Sequence, residues 1–542
     1  MHSTKPGYRR IAAEKKLQQT NKIPKDWLIS ADTHRSSTNV LDVPVTCGIL
    51  DNVECEITSD YDATALLEKL KNGIWSAEQV TIAFCKRAAI AQQLTNCLTE
   101  IFFDEAIERA RQLDKDRQQN SSGNALRPLH GLPISLKDSF QVAGYDTSTG
   151  LACYVNEPAE ENSGTAAMLL DLGAVLYCKT NLPQSIMTGD SDNNVFGRTL
   201  NPRNKLLTAG GSTGGEGALI ALRGSVLGVG TDIFGSIRVP SVCNGIYGFR
   251  PSVGLVPHGG VRDLSVPGTD FIRSTAGPMA TSIRDCRLFL KTLMQAGTWR
   301  YDSTVISLPW TNIEAKEHLR IAVVENDGIF TPSPPIRRAM KEAVALLEKS
   351  KSIEIIPLTL PDAKEHCQNL VSHWAVSGND HYLEQFARTG EPVVPSLKAL
   401  GLLDMKGTTL KGLFDLNVSR AEAAKNYLRL FRDNNLDAIL MPPAPHTAVP
   451  LDTWSTATYT GLWNYLDFPA VVLPVDEVRE SDLADDVGNA KFGPEDARLY
   501  SLYTGPKDYK GAPICVQVVG YRHADEALLN IATILDAILN SK

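Results

Sequence analysis

Residues 210–218 read Gly210-Gly211-Ser212-Thr213-Gly214-Gly215-Glu216-Gly217-Ala218, and residues 230–238 read Gly230-Thr231-Asp232-Ile233-Phe234-Gly235-Ser236-Ile237-Arg238. Each stretch sets one serine among glycines. Glycine at this density lets the backbone reach positive φ and lets main-chain N–H groups approach a ligand, so an oxyanion can be held without a charged side chain. A serine hydrolase centre uses such a layout, and it needs one further group, a base for the serine proton.

The candidate base lies upstream, in Gly131-Leu132-Pro133-Ile134-Ser135-Leu136-Lys137-Asp138-Ser139-Phe140. The short apolar run bounded by Gly and Pro predicts a buried strand with Lys137 at its end. Burial disfavours the charged ammonium and lowers a lysine pKa from about 10.4 by roughly 3 to 5 units, which brings a proton acceptor near neutral pH. The same residues also fit a surface lysine paired with Asp138, and this segment alone leaves both readings open.

Three other readings of the glycines fail. Gly210-Gly211-Ser212-Thr213-Gly214 satisfies G-x-S-x-G, but a nucleophile elbow needs a strand directly before it, and residues 204–209 hold only two large apolar residues. No Gly-Lys-Ser/Thr follows, so the segment is no phosphate loop. A flexible linker would not run into Ala218-Leu219-Ile220-Ala221-Leu222.

Taken together, the three segments resemble the amidase signature family. The likeness continues through Cys178-Lys179-Thr180-Asn181-Leu182-Pro183-Gln184, Asp192-Asn193-Asn194-Val195-Phe196-Gly197-Arg198-Thr199-Leu200-Asn201-Pro202, Tyr247-Gly248-Phe249-Arg250-Pro251-Ser252 and Gly277-Pro278-Met279-Ala280. It ends with Asp467-Phe468-Pro469-Ala470 and Gly511-Ala512-Pro513-Ile514-Cys515-Val516-Gln517-Val518-Val519-Gly520. Similarity covers about residues 60 to 538, and Glu216 with the segment 188–202 is most like the fungal acetamidase and fatty acid amide hydrolase branch.

The resemblance implies an α/β fold, a mixed central β-sheet surrounded by helices, and amide hydrolysis through a Ser-Ser-Lys triad. Carried over by motif, Lys137 is the base, Ser212 the bridging serine in a cis peptide bond, and Ser236 the nucleophile that forms the acyl-enzyme. The N–H groups of Ile233, Phe234, Gly235 and Ser236 would hold the oxyanion, and Ile186, Met187, Ser212, Ile233, Phe234, Gly235 and Ser236 would contact substrate. Trp374, His381, Tyr382 and Phe386 become candidates for the acyl pocket by resemblance, although aromatics of this kind more commonly pack a core. Asp232 and Arg238 are expected to form a supporting ion pair. Phe234 departs from the family pattern, where a small residue, commonly glycine, precedes Gly235-Ser236; a ring there would narrow the acyl site. Two alternatives share the signature: a glutaminase-type amidotransferase subunit, and a catalytically impaired binding or pathway protein.

The rest of the chain bounds partners and compartment. It has 542 residues, 43% hydrophobic and 21% charged, with net charge −8 and scattered basic residues, which argues against a nucleic-acid partner. The expected partner is a small-molecule amide, with room for a homodimer and with no cofactor or metal. The ten cysteines contain no C-x-x-C pair and read as reduced residues of an intracellular protein; His366-Cys367 and His373 are too isolated for a metal site. Met1 to Arg10 holds no apolar h-region and no apolar run reaches spanning length, so the cytoplasm is the expected compartment.

Residues 1–59 are expected to form an N-terminal arm and 60–542 a single amidase signature domain. Helices are predicted to begin after Asp62 as N-cap, ending at Asn72-Gly73, then after a capping box at Ser76-Ala77-Glu78-Gln79, then over Asp104 to Arg117. Ala174 to Cys178, Val226 to Gly230, Leu319 to Val324 and Leu436 to Met441 read as strands, Ile336 to Ser350 as an amphipathic helix, and 360–430 as mostly helical.

Overall fold

The computed structural model describes residues 7–30, 37–119 and 126–541. The strands are β1 (Leu98–Ile101), β2 (Pro133–Lys137), β3 (Val175–Thr180), β4 (Leu227–Asp232), β5 (Tyr247–Arg250), β6 (Thr275–Ala280), β7 (Leu319–Val323), β8 (Ile353–Pro357), β9 (Ala438–Met441), β10 (Ala470–Glu477) and β11 (Pro513–Val519). They form one mixed sheet in the order β1-β3-β2-β4-β6-β5-β10-β11-β9-β7-β8. Most strands are buried along their whole length, as in β11 from Pro513 to Val519 with Gln517 included, because helices cover both faces.

The predicted strands match β2, β3, β4, β7 and β9 within a few residues. Helix signals held at the level of single caps. Asp62 accepts from the N–H of Ala65, and Ser76 with Gln79 closes a complete capping box ahead of the helix Ala77–Thr95. Residues 360–430 are helical as predicted, in Ala363–Trp374, Asp380–Ala387, Pro395–Ala399 and Leu410–Asp433.

The start of the chain requires a correction. Helices do not begin at Asp62: Tyr8–Asn21 and Asn52–Ser59 precede it, while residues 1–6 and 31–36 of the expected arm lie outside the described residues. The inner face of Tyr8–Asn21 joins Ile11 and Ala12 to the polar Lys15 and Gln19, which hides it from a search for apolar periodicity. Lys15 reaches Glu100 at 2.6 Å and Asp146 at 2.7 Å, and Gln19 donates to the carbonyls of Leu98 and Thr99 at the sheet edge.

Two parallel neighbours position the site. β2 runs parallel to β4 with Leu136 opposite Val229, so Lys137 and Thr231 emerge together at the carboxyl ends of adjacent strands. Ligand crevices of open α/β sheets form at such ends. Side chains alternate along a strand, so Ser135 and Lys137 point to one face and Asp138 to the other. On the first face lies the helix Gly214–Ala221, whose preceding turn carries Ser212. Ser135 donates to Glu216 while Lys137 donates to Ser212, so the two pairs zip strand to helix. Gly228 is required between them, since a Cβ there would overlap the Glu216 carboxylate. Among the described residues no helix is long and apolar enough to cross a membrane, and no cysteine is in a disulfide.

Candidate active site

Lys137 is fully buried, and its Nζ donates to Ser212 Oγ at 2.6 Å and to Thr231 Oγ1 at 2.9 Å. Burial pulls its pKa down to about 7, against the opposing charge of Asp232. The reading of Lys137 as a surface lysine paired with Asp138 is excluded. Asp138 faces away and accepts from Thr99, Ser148 and the Thr149 N–H, with Lys179 Nζ at 3.6 Å.

The Gly211–Ser212 peptide bond is cis, and Ser212 itself is inaccessible to solvent. No strand leads into this turn; residues 204–209 hold only turns and isolated bridges, in keeping with the rejected elbow. Ser191 anchors the glycines, donating to the carbonyl of Gly210 and accepting from the N–H of Gly214. A Cβ on Gly211 would collide with the Thr188 carbonyl, so the glycine is needed for close approach rather than for flexibility.

Ser236 is half-buried, and its hydroxyl has no hydrogen-bond partner among the described residues. The loop carrying it is fixed from behind by Asp232, whose carboxylate accepts from the N–H groups of Gly235 and Ile237 and binds Arg238 through Nε at 3.1 Å and Nη2 at 3.0 Å. Burial alone would raise the Asp232 carboxyl; the charge and hydrogen bonds of Arg238, with Asn464 and Arg250, outweigh burial and hold it well below the usual carboxylate range. The expected ion pair is therefore present and buried, with both side chains fully enclosed. Of the four N–H groups expected to hold an oxyanion, one is engaged within the protein. Gly235 N–H is directed to Asp232 at 2.8 Å, whereas those of Ile233, Phe234 and Ser236 have no protein acceptor among the described residues.

Ser212, Ile233, Phe234, Gly235 and Ser236 line one cavity of about 530 Å³. Ile186 and Met187 line it as well, and Ile186 takes φ +65, a left-handed conformation that a β-branched residue rarely adopts. Of the four aromatic-type candidates on the insert, Trp374 and Tyr382 reach the cavity. His381 and Phe386 do not: Phe386 is buried with Leu151, Cys153 and Leu397 in the apolar cluster behind Tyr382.

Thr231, Ser191 and Lys179 escaped the sequence reading. Thr231 had no usable signal, since aligning β2 with β4 sets Gly230 beside Lys137 and Thr231 reaches the lysine Nζ only at the strand end. Lys179 had none, because its role as partner of Asp138 and of the Asp146 carbonyl exists only across strands.

A profile of the amidase family matches residues 79–529. The chain belongs to the amidase family and is an amidase. It is 38% identical to the acetamidase of Emericella nidulans across 98% of each protein, and 37% identical to the acetamidase of Aspergillus oryzae across 98% of each. The solved structure of a fatty acid amide hydrolase superimposes with TM-score 0.90 at 31% identity, covering 98% of this chain and 95% of that one.

Proposed function

We propose that the protein hydrolyses a carboxylic amide through an acyl-enzyme on Ser236. Neutral Lys137 draws a proton from Ser212, which draws the proton of Ser236 as its Oγ attacks the amide carbon. Negative charge then develops on the carbonyl oxygen beside the N–H groups of Ile233, Phe234 and Ser236, where each donor in comparable sites is worth roughly 2.7 to 4 kcal/mol. The proton returns along the same path to the leaving nitrogen, and water resolves the ester to acid and ammonia or amine.

The observation that carries this reading is the 2.6 Å hydrogen bond from a fully buried lysine to Ser212. Burial lowers the amine pKa to about 7, and Thr231 Oγ1 accepts from the same nitrogen at 2.9 Å. The test is covalent labelling with a fluorophosphonate followed by peptide mass spectrometry. An adduct on Ser236 agrees with the reading; an adduct on Ser212, or none in a protein that still turns over amides, overturns it.

A further inference from the structure

The cavity walls carry four fully charged residues, and three of them are already engaged. Asp270 and Arg273 pair with each other at 2.5 and 2.6 Å. Arg262 turns away, donating to the Thr147 carbonyl at 2.9 Å and stacking over Tyr154 at 4.3 Å. Asp263 remains. It lines the cavity, is exposed, and among the described residues forms no ion pair and accepts only the Ser265 N–H at 3.2 Å.

Among the described residues no Lys, Arg or His pairs with Asp263, and its neighbour Arg262 is turned onto Thr147 and Tyr154. Burial lowers the His258 imidazole, against the charges of Asp263 and Asp302, and burial likewise lowers His373, whose Nδ1 lies 2.8 Å from the Asn369 carbonyl. The loop bearing Asp263 is pinned by its neighbour Leu264, which is buried in the cluster containing Tyr382 and Trp374. Those two rings stack at 5.8 Å between centroids and both line the cavity. Burial and then the Asp263 charge push the Tyr382 phenol up to about 12, which places carboxylate and ring in each other's field. A free carboxylate beside stacked aromatics is the composition that receives an organic cation, through charge and the negative faces of the rings.

We propose that Asp263, Trp374 and Tyr382 form a distal subsite for a cationic or hydrogen-bond-donating head group, such as a primary ammonium, on the part of the substrate remote from the scissile amide. This rests on the reading of the cavity as the amide site. The about 530 Å³ of space lies within the range of sites that enclose ligands far larger than a four-atom amide, so an apolar segment can connect the two ends. The same charge disfavours a substrate ending in a carboxylate.

The test compares unbranched alkanamides with their ω-amino and ω-carboxy counterparts over a series of chain lengths. At the best length the wild-type protein should favour the ω-amino amide over the plain one by about fivefold in kcat/KM, with the ω-carboxy amide below both. Asp263→Asn should remove that preference while leaving the plain amide unchanged, and raised ionic strength should weaken it in the wild type. Trp374→Leu should reduce it through the ring alone. No chain length with an ω-amino preference, or a preference that survives Asp263→Asn, overturns the proposal. If no amide is hydrolysed, the catalytic reading fails instead. Calorimetric affinities of the same compounds for the intact protein then decide the subsite by the same ratio.

Discussion

The serine loops at the ends of β2 and β4 and the helical insert of residues 363–433 border the same cavity, yet they are built on opposite terms. In the loops nearly every position is fixed by a backbone demand or a buried hydrogen bond: Gly211 by the Thr188 carbonyl, Gly235 by Asp232, Ser212 by Lys137. In the insert, cavity contact depends on which face of a helix turns inward, so Tyr382 reaches the cavity while its neighbour His381 does not. The loops are held by constraint and the cavity wall of the insert by packing. Changes in the loops should therefore affect all amides alike, and changes in the insert should redistribute activity among them.

Ser236→Ala gives the largest effect expected. Without the proposed nucleophile, turnover of every amide should fall to background together, with no shift in the ranking of substrates. A variant that kept turnover of one amide class would break the division between loops and insert at its strongest point.

Lys137→Ala should follow, with acylation lower by about 10² to 10⁴-fold, the span usual for a lost general base, on every substrate equally. The pH dependence has a definite sign. Protonated Lys137 cannot accept a proton, so acylation in the wild type should rise with pH through a midpoint near the lysine value of about 7 and fall in acid. In the alanine variant that inflection should vanish. Single-turnover rates across pH measure both, and an unchanged profile in the variant would locate the base elsewhere.

Asp232→Asn tests the support beneath the loop. Removing one partner of a buried ion pair leaves Arg238 enclosed without its counter-charge, a change that costs about 3 to 5 kcal/mol of stability. Because the folded-state pKa of Asp232 is depressed, its contribution is complete above the unfolded value of about 3.9 and is lost as pH falls toward the folded value. Denaturant titrations at neutral and acid pH should therefore show the gap between wild type and variant closing in acid. A gap independent of pH would remove the ion pair from the account.

These contrasts also explain what could be read in the chain. The sheet was legible because apolar runs such as β2, β4 and β9 are bounded by glycine and proline, and the caps at Asp62 and Ser76 are local by nature. The turns around Ser212 and Ser236 and the burial of Lys137 at a strand end were legible in glycine-rich and apolar segments, and the family resemblance assigned each a role. The polar helix Tyr8–Asn21 was not legible, since Lys15 and Gln19 are buried by partners at Glu100, Asp146 and the sheet edge that no periodicity records. Nor was the engagement of the Gly235 N–H by Asp232, because glycine advertises an available N–H without saying where it points.

Phe234 belongs to both regions, and its substitution is the finest test of the division. Its backbone lies in the nucleophile loop, with its carbonyl accepting from Thr460 at 2.6 Å, while its ring packs on the cluster that contains Leu370, Leu462 and Trp463 of the flanking helices. Its Cδ1 lies 3.8 Å from where a Cβ on Gly461 would sit, so the ring fills the gap between cavity and helices. Phe234→Gly keeps the loop N–H and removes that filling. Activity on bulky amides should rise relative to small ones by the roughly 1 to 3 kcal/mol that a change in pocket size provides. The measurement is kcat/KM for acetamide, an arylacetamide and a long-chain amide in both proteins. A change in the ratios puts Phe234 with the insert as a determinant of shape. An equal change in all three puts it with the loop, and the ring then acts on the chemistry through the position of Ser236 alone.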